Sequence, residues 1–314
     1  MAITLVEASK LNPGDVVRNA VIEMFARSSD ILRVMPFEDI PGGSYHYNQE
    51  GSLPGVAFRG VNEGYTESAG VINPQVEVLR IAGGDLDVDK AILKMHGDGV
   101  RSSHESMKVK ALSLFLAKKM IKGDSTADVK EFDGLQNRIT GSQLIEGEAN
   151  QTATDSGGPL SLGSLDAGID AVDDPTHLIM SKAMRRLLTA AARTTTVGGF
   201  ISYDVDEFGK KVTMYNDLPI LIADHDETGA RILEFNEASG HGTPGSVSTS
   251  IYTVSFGENM LTGLQNGIMD VEDLGEIDSK PVLRTRVDWL VGLAALHGRS
   301  ASRLRGITNE AVAV

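Results

Sequence analysis

Residues 43–82 constrain the fold most, because this stretch has too few bulky apolar side chains to hold a core of its own. Glycine and asparagine recur through it, at Gly51, Gly55, Gly60, Asn62, Gly64, Gly70 and Asn73. They separate two short strand-like runs, Val56–Phe58 and Gln75–Ile81. The pattern predicts a long two-stranded hairpin that projects from the body. An isolated hairpin is only marginally stable in water, so we expect this one to lie on a neighbouring surface.

The strongest helical pattern of the chain follows at residues 103–122. Ser103 can cap this helix, and Gly123 can end it. Its predicted apolar side consists of Met107, Ala111, Leu114, Phe115 and Ile121. Lys118, Lys119 and Lys122 are placed on the polar side, near the C-terminal end of the helix dipole.

The remaining elements are short. An amphipathic run at Val16–Arg27 has helical spacing. Beyond a polar stretch at 140–158, the predicted helices are 164–172 and 182–193, the second behind a Ser181 cap. The predicted strands are 177–180, 218–223 and 251–256, with a hairpin at 200–206 and 211–215 and a loop at 237–248. The fold class is therefore α+β, and a chain of 314 residues is long enough for two lobes or for one lobe with large extensions.

Composition excludes several classes of protein. The chain has no cysteine, which rules out disulfides, thiolate metal sites and a cysteine nucleophile. It has no apolar run long enough for a membrane span and no basic start followed by an apolar core, so we expect synthesis in the cytoplasm without a membrane partner. A formal charge of −14 argues against an ordinary DNA-binding protein, since affinity for nucleic acid rests mainly on cationic contacts to phosphate.

One segment is a candidate for nucleophilic catalysis. Thr154–Pro159 nearly reproduces the Asp-Ser-Gly-Gly-Pro surroundings of the trypsin-like serine, with Ser156 as the nucleophile. A triad also needs a base and an orienting carboxylate. The upstream histidines are His46, His96 and His104, and none has the sequence context of that protease family. The segment is more typical of a Gly/Ser/Pro loop.

Two further segments could hold an ion. Asp224–Glu227 offers four metal-ligand types in a row, but adjacent residues of an extended segment point in opposite directions, so a solvated acidic turn is favoured. His241 lies in the glycine loop Ser239–Pro244, which lacks the lysine of a P-loop and the spacing of a dinucleotide fold. We therefore predict no catalytic, cofactor or metal site, and no enzymatic activity.

Basic residues gather near the C-terminus of this acidic chain, at Lys280, Arg284, Arg286, Arg299, Arg303 and Arg305. They could contact nucleic acid or pair with carboxylates of neighbouring subunits. The net charge favours pairing between subunits.

Four segments resemble the tailed-bacteriophage major capsid protein of the Hong Kong 97 type. They are EFDGLQNRI at 131–139, PTHLIMSKAMRRL at 175–187, LPILIAD at 218–224 and RTRVDWLVGL at 284–293. Each is short, but their order and spacing span nearly the whole chain, with a hairpin and a long helix where that family has them.

The resemblance implies a division of the chain into capsid regions. These are an N-terminal arm (1–42), an extended loop (43–82), a peripheral domain (83–139) with the spine helix at 103–122, a mostly axial domain (140–290) and a C-terminal segment (291–314) that returns to the shell body.

The sequence also departs from some members of that family. Some relatives begin with a fused scaffolding region of about a hundred residues, for which there is no room before the spine helix. Some lock the shell with an isopeptide bond from a lysine of the extended loop, but residues 11–89 contain no lysine.

Three functions remain open at this point. The leading one is a major capsid protein that assembles through hexamers and pentamers into an icosahedral shell around double-stranded DNA. The partners that this implies are a separate scaffolding protein, a portal, a decoration protein and DNA contacted without sequence specificity. It also implies a location in the virion after assembly in the host cytoplasm. An encapsulin-like compartment is the second function, and a serine hydrolase using Ser156 is the third.

Overall fold

The computed structural model describes residues 3–4, 29–97, 99–147, 157–193, 201–205, 211–238 and 246–313. The amphipathic run Val16–Arg27, Ser156 and His241 lie outside the described residues, so the predictions made for them stay predictions.

The helices, in chain order, are α1 (Asp30–Val34), α2 (Lys90–His96), α3 (Gly99–Lys122), α4 (Leu135–Arg138), α5 (Leu162–Asp170) and α6 (Lys182–Ala191), with a 3-10 turn at Gly141–Gln143. The strands are β1 (Ile3–Thr4), β2 (Pro36–Asp39), β3 (Ser44–Ser52), β4 (Val71–Val78), β5 (Arg80–Asp89), β6 (Leu144–Glu146), β7 (His177–Met180), β8 (Ile201–Val205), β9 (Lys211–Tyr215), β10 (Leu218–Ile222), β11 (Glu237–Ala238), β12 (Ser246–Val254), β13 (Leu261–Gln265), β14 (Asp270–Ile277), β15 (Lys280–Ala295) and β16 (Ala301–Ile307). This mixture confirms the predicted α+β class.

The described strands form three sheets. One has the order β1-β2-β13-β15-β14, with β5 paired to the other edge of β15. The second has the order β6-β16-β12-β7-β10-β9-β8, with β11 beside β12. The third contains only β3 and β4, which pair with each other in antiparallel register from Ser44↔Val78 to Ser52↔Val71.

Short-range signals correctly predicted several elements of the second sheet, but its strands β6 and β16 were not predicted. The Ser181 hydroxyl caps α6 by accepting a hydrogen bond from the Met184 amide at 3.3 Å. Strand β7 and the β8–β9 hairpin lie at the positions predicted from the sequence pattern. Differences are small: α5 begins at Leu162 behind a Ser161 cap, β12 begins at Ser246, and the predicted loop at 237–248 contains β11.

The long helix α3 differs from its prediction in start and in orientation. It begins at Gly99, and the Ser103 hydroxyl, instead of capping it, donates to the Gly99 carbonyl oxygen at 3.0 Å. Its buried residues are Val109, Leu112, Ser113, Leu116, Ala117, Met120 and Ile121. Met107 is exposed, while Ala111, Leu114 and Phe115 are only half-buried.

Ion pairs explain why that face was misplaced. Lys118, Lys119 and Lys122 were treated as solvent-facing, but they are half-buried and pair with Asp226, Glu131 and Glu237. Because each lysine meets a carboxylate, it can lie against the body with its aliphatic part packed. The buried face of the helix is therefore rotated relative to the face that was predicted from the lysine positions alone.

The predicted hairpin is present, but its strands are not those of the prediction. The pairing of β3 with β4 is shifted by a bulge between Glu50 and Ser52 and ends at Ser52↔Val71. Beyond that pair, Val56–Phe58 has no strand structure. Ile81 belongs to β5, which pairs with β15 in the body. The hairpin therefore consists of β3, β4 and a long connection at 53–70, which we name the tip.

Three apolar clusters hold the described residues together. The largest surrounds the buried face of α3, with Trp289 from β15 and Phe37 from β2. A second lies between α5, α6 and the second sheet, around Leu165 and Met184. A small third cluster, Ile40, Leu79, Leu264 and Ala294, lies at the base of the hairpin, where Tyr45 and Tyr47 pack against it.

Candidate functional site

The tip of the hairpin is an apolar surface that nothing in the described chain covers. Leu53, Val56, Phe58, Val61 and Tyr65 are all largely exposed, with Val56 at 96%. The tip's own hydrogen bonds are internal, such as Ser68 Oγ to the Gly55 carbonyl at 2.9 Å and the Gly60 amide to Glu63 Oε2 at 2.8 Å. Contiguous exposed apolar groups of this kind mark a surface that binds another macromolecule.

The base of the hairpin is tied to the body by a partly buried ion pair. Arg138 of α4 donates to both carboxylate oxygens of Glu77 on β4, with Nη2 to Oε2 at 2.8 Å. The Tyr47 hydroxyl donates to Glu77 Oε1 at 3.4 Å. Burial, reinforced by the Glu77 carboxylate, raises the pKa of Tyr47 to about 12, so the phenol keeps its proton. Two strands of the hairpin and one helix of the body thus meet at one carboxylate.

The C-terminal arginines pair with carboxylates of their own chain, which corrects the expectation that they serve neighbouring subunits. Arg284 and Arg286 of β15 lie directly opposite Asp87 and Asp85 of β5. Each arginine binds its carboxylate with two hydrogen bonds, at 2.6 and 2.7 Å for Arg284 and at 2.7 and 3.0 Å for Arg286. The hydrogen bond from Arg286 lowers the pKa of Asp85, and the one from Arg284 lowers the pKa of Asp87.

The other arginines of that basic group also pair with carboxylates of their own chain. Arg299 contacts Asp173 at 3.3 Å, and Arg305 contacts Glu146 at 2.7 Å. Arg303 is buried and contacts Glu237 at 2.9 Å, while the opposite oxygen of Glu237 faces Lys122 of α3 at 3.3 Å. These pairs join segments far apart in sequence, so they fix the body of the subunit.

The acidic segment Asp224–Glu227 is not a solvated turn throughout. Asp226 is buried and accepts hydrogen bonds from Lys118 Nζ at 2.8 Å and from the Thr228 hydroxyl at 2.7 Å. Burial disfavours its charge, but these bonds outweigh burial and hold its pKa well below its ordinary value. Asp224 pairs with Lys182 and contacts His225 Nδ1 at 3.0 Å. Within the described residues there is no group of three or more acidic or histidine side chains arranged to hold a metal ion.

The described part of a hydrolase triad does not assemble. His46 lies on β3, His96 ends α2, and His104 lies in α3. Ser156 lies outside the described residues, and the structure describes no carboxylate partner for any of the three histidines. Among the described helices, none combines the length and apolar character needed to cross a membrane.

Sequence reasoning missed both groups of ion pairs. For Asp85–Arg286 and Asp87–Arg284 a signal existed, because each strand carries its two charges with the period of two that puts them on one face. Glu77 and Arg138 are 61 residues apart, and no local pattern connects a strand residue to a residue of a four-residue helix.

Comparisons with known proteins cover the whole chain. Residues 13–163, just under half of it, match the family model described as major capsid protein GP7. The holo-SrpI encapsulin complex from Synechococcus elongatus is 15% identical, with a TM-score of 0.63 over 100% of this chain and 99% of that one. No curated protein sequence matches.

Two viral or virus-related particles are similar as well. The structure from Mycobacterium phage Bobi is 12% identical, with a TM-score of 0.58 over 88% of this chain and 89% of that one. The capsid of the empty GTA particle is also 12% identical, with a TM-score of 0.57 over 89% and 90% of the two chains. Identities this low show a shared fold, which extends well beyond the segment that the family model matches.

Proposed function

We propose that the chain is a major capsid protein with the Hong Kong 97 fold, the repeating subunit of an icosahedral shell that encloses double-stranded viral DNA. The observation that carries the proposal is the tip, an apolar surface at the end of a hairpin that has no core of its own. A subunit that works alone gains nothing from such a surface, whereas a subunit of a shell can cover it with its neighbour.

The expected stabilisation is substantial. Burying one large apolar side chain is worth about 1.5–3 kcal/mol, and the tip offers several. A contact between the tip and a different patch of the neighbouring subunit is heterologous, and repeated heterologous contacts can close into rings. Several such contacts act together on each subunit, so no single one has to be strong.

We assign the regions of the subunit as the family resemblance divides them. Residues 1–42 are the N-terminal arm, 43–82 the extended loop, 83–139 the peripheral domain, 140–290 mostly the axial domain, and 291–314 the returning C-terminal segment. The hairpin described by β3 and β4 supports the second assignment. Helix α3, as the centre of the largest apolar cluster, supports the third.

The proposed partners follow from shell assembly. A capsid protein forms multimeric shells and is located in the virion. Here the shell is built from hexamers and pentamers in the host cytoplasm, with a separate scaffolding protein, a portal and a decoration protein. The proposal assigns the subunit no catalytic residue, cofactor or metal.

A pair of matched variants tests the role of the tip. Val56→Asp places a charge on the tip, and Val129→Asp places the same charge on another exposed valine, at 96% and 73% exposure respectively. Neither change disturbs a described core, so both subunits should fold. Electron microscopy of the purified chain should show closed shells for the unchanged protein and for Val129→Asp, and no shells for Val56→Asp. Normal shells from Val56→Asp, or no shells from the unchanged protein under any assembly condition, would overturn the proposal.

An encapsulin-like compartment is the second candidate, since the encapsulin neighbour is matched over its full length. The two functions differ in what the shell contains. Particles from infected cells that hold nuclease-protected DNA of uniform length support the viral shell. Particles that hold a single co-purifying enzyme and no protected DNA support the compartment.

A further inference from the structure

Most described arginines have a carboxylate partner, and three of the six that lack one lie around a single cavity. Ion pairs are formed by Arg33, Arg101, Arg138, Arg284, Arg286, Arg299, Arg303 and Arg305. Within the part of the chain that the structure describes, six arginines form no ion pair: Arg59, Arg80, Arg185, Arg186, Arg193 and Arg231. Arg185, Arg186 and Arg231 line the same cavity.

That cavity lies between the first turns of α6 and the segment that follows β10. Its volume is about 250 Å³, and Lys182, Asp224 and His225 complete its polar lining. Lys182 is already paired with Asp224, so the one carboxylate of the lining is in use. Arg185 is half-buried, while Arg186 and Arg231 are exposed. The chain carries a formal charge of −14, so three uncompensated cations give this cavity a charge opposite in sign to that of the chain as a whole.

The cavity continues into a second one. A space of about 370 Å³ shares Lys182, Arg185 and Asp224 with it and extends to Leu114 and Ala117 of α3. The cations therefore lie beside a cleft that is partly apolar. A small anion would use only the cationic part of this cleft. A polymer whose repeat carries a charged group and a bulky uncharged group fits both the cationic and the apolar part.

We infer that this cleft binds a nucleic-acid backbone, with a phosphate held by Arg185, Arg186 and Arg231. The inference rests on the proposed function, because the nucleic acid is the content of the shell. Guanidinium groups match phosphate oxygens with paired hydrogen bonds, and the repulsion between three like charges in the empty cavity is reduced when a negatively charged phosphate enters. Such a site gives each subunit a weak, sequence-independent contact, while the acidic remainder of the surface keeps total affinity low.

The test uses the full chain purified before shell assembly and a fluorescein-labelled 24-base-pair DNA duplex. Arg185→Gln/Arg231→Gln removes two charges from the cavity. Lys130→Gln/Lys280→Gln removes two charges from exposed positions elsewhere and is the matched control. Fluorescence anisotropy is measured over a series of salt concentrations. Inorganic phosphate, compared with chloride at equal ionic strength, serves as the competitor.

The arginine variant should bind the duplex about tenfold or more weakly, and the slope of log affinity against log salt should become shallower by about 1–2. The lysine variant should remain within about twofold. Stronger competition by phosphate than by chloride, lost in the arginine variant, would assign the effect to the phosphate group.

Three results would overturn the inference. Equal losses in both variants would mean that only net charge matters, and no loss in either would mean that the cleft does not bind DNA. Normal DNA affinity with failed assembly of the arginine variant would mean that these arginines meet carboxylates of a neighbouring subunit. Electron microscopy of the arginine variant tests the proposed function separately. If the variant forms shells, the proposed function stands, whether or not the cleft binds DNA.

Discussion

Replacing Arg138 by methionine removes the cation that ties the extended hairpin to the body, and keeps a side chain of similar length. Glu77 then loses two hydrogen bonds and is left with the single long contact from the Tyr47 hydroxyl. The carboxylate cannot turn freely into water, because it lies at the base of the hairpin between Tyr47 and α4.

The burial of the pair sets the size of the effect. The Arg138 and Glu77 side chains are 14% and 19% exposed. Breaking a fully buried pair costs about 3–5 kcal/mol, and breaking an exposed one costs at most about 1 kcal/mol. Because the pair is neither fully buried nor exposed, Arg138→Met should have an intermediate effect and lower the free energy of unfolding by about 2–3 kcal/mol.

Urea unfolding of the unassembled chain measures this change, and a double-mutant cycle with Glu77→Gln isolates the pair. Arg138→Lys should recover part of the loss, because it restores the charge but not the two parallel hydrogen bonds. Arg284→Met is the control, since its pair with Asp87 is more exposed, and its effect should be smaller. If Arg138→Met changed the unfolding free energy by less than about 0.5 kcal/mol, or if the double mutant equalled the sum of the single mutants, the tie would not exist.

The remaining predictions concern the body and the mature shell. Leu116→Ala should destabilise the subunit by about 2–5 kcal/mol in the same urea assay, while Met107→Ala on the exposed side of α3 should stay within about 0.5 kcal/mol; equal effects would mean that the buried face is misassigned. The pKa of Asp226 in the folded chain lies below its unfolded value of about 3.9, so its contribution to the free energy of unfolding is complete above that value and is lost as pH falls. Urea unfolding at a series of pH values should show that Asp226→Asn loses less stability between about pH 5 and pH 2 than the unchanged chain does. Boiled particles should give a single band near 33.5 kDa on a denaturing gel, because residues 11–89 lack lysine and the chain lacks cysteine, and a ladder of multiples would contradict this.

Elements defined by neighbours in sequence could be predicted from the sequence. The Ser181 cap, the strand before it and the hairpin at 201–215 depend on residues within a few positions of each other, and each lies where the pattern placed it. The predicted hairpin of the extended loop was correct as a topology for the same reason. Its strand limits were wrong because the paired strands are the mostly polar run Ser44–Ser52 and the run Val71–Val78, whereas the apolar run Val56–Phe58 lies beyond the last pair.

Features that depend on distant partners could not be predicted in the same way. The buried face of α3 is set by Asp226, Glu131 and Glu237, which turn three lysines towards the body. The arginines of β15 were assigned to neighbouring subunits because their carboxylates lie about 200 residues earlier, and only the strand register brings them opposite each other. The cavity at α6 joins residues 181–186 to residues 223–233, so its uncompensated charge is visible only in the folded chain.

A cryo-electron microscopy reconstruction of particles formed by the full chain tests the central claim most directly. It should show closed icosahedral shells of uniform size in which residues 53–70 of each subunit lie against a neighbouring subunit, with Val56 and Phe58 buried at the contact. Particles that never close, or closed shells in which the tip points into solvent, would contradict the account.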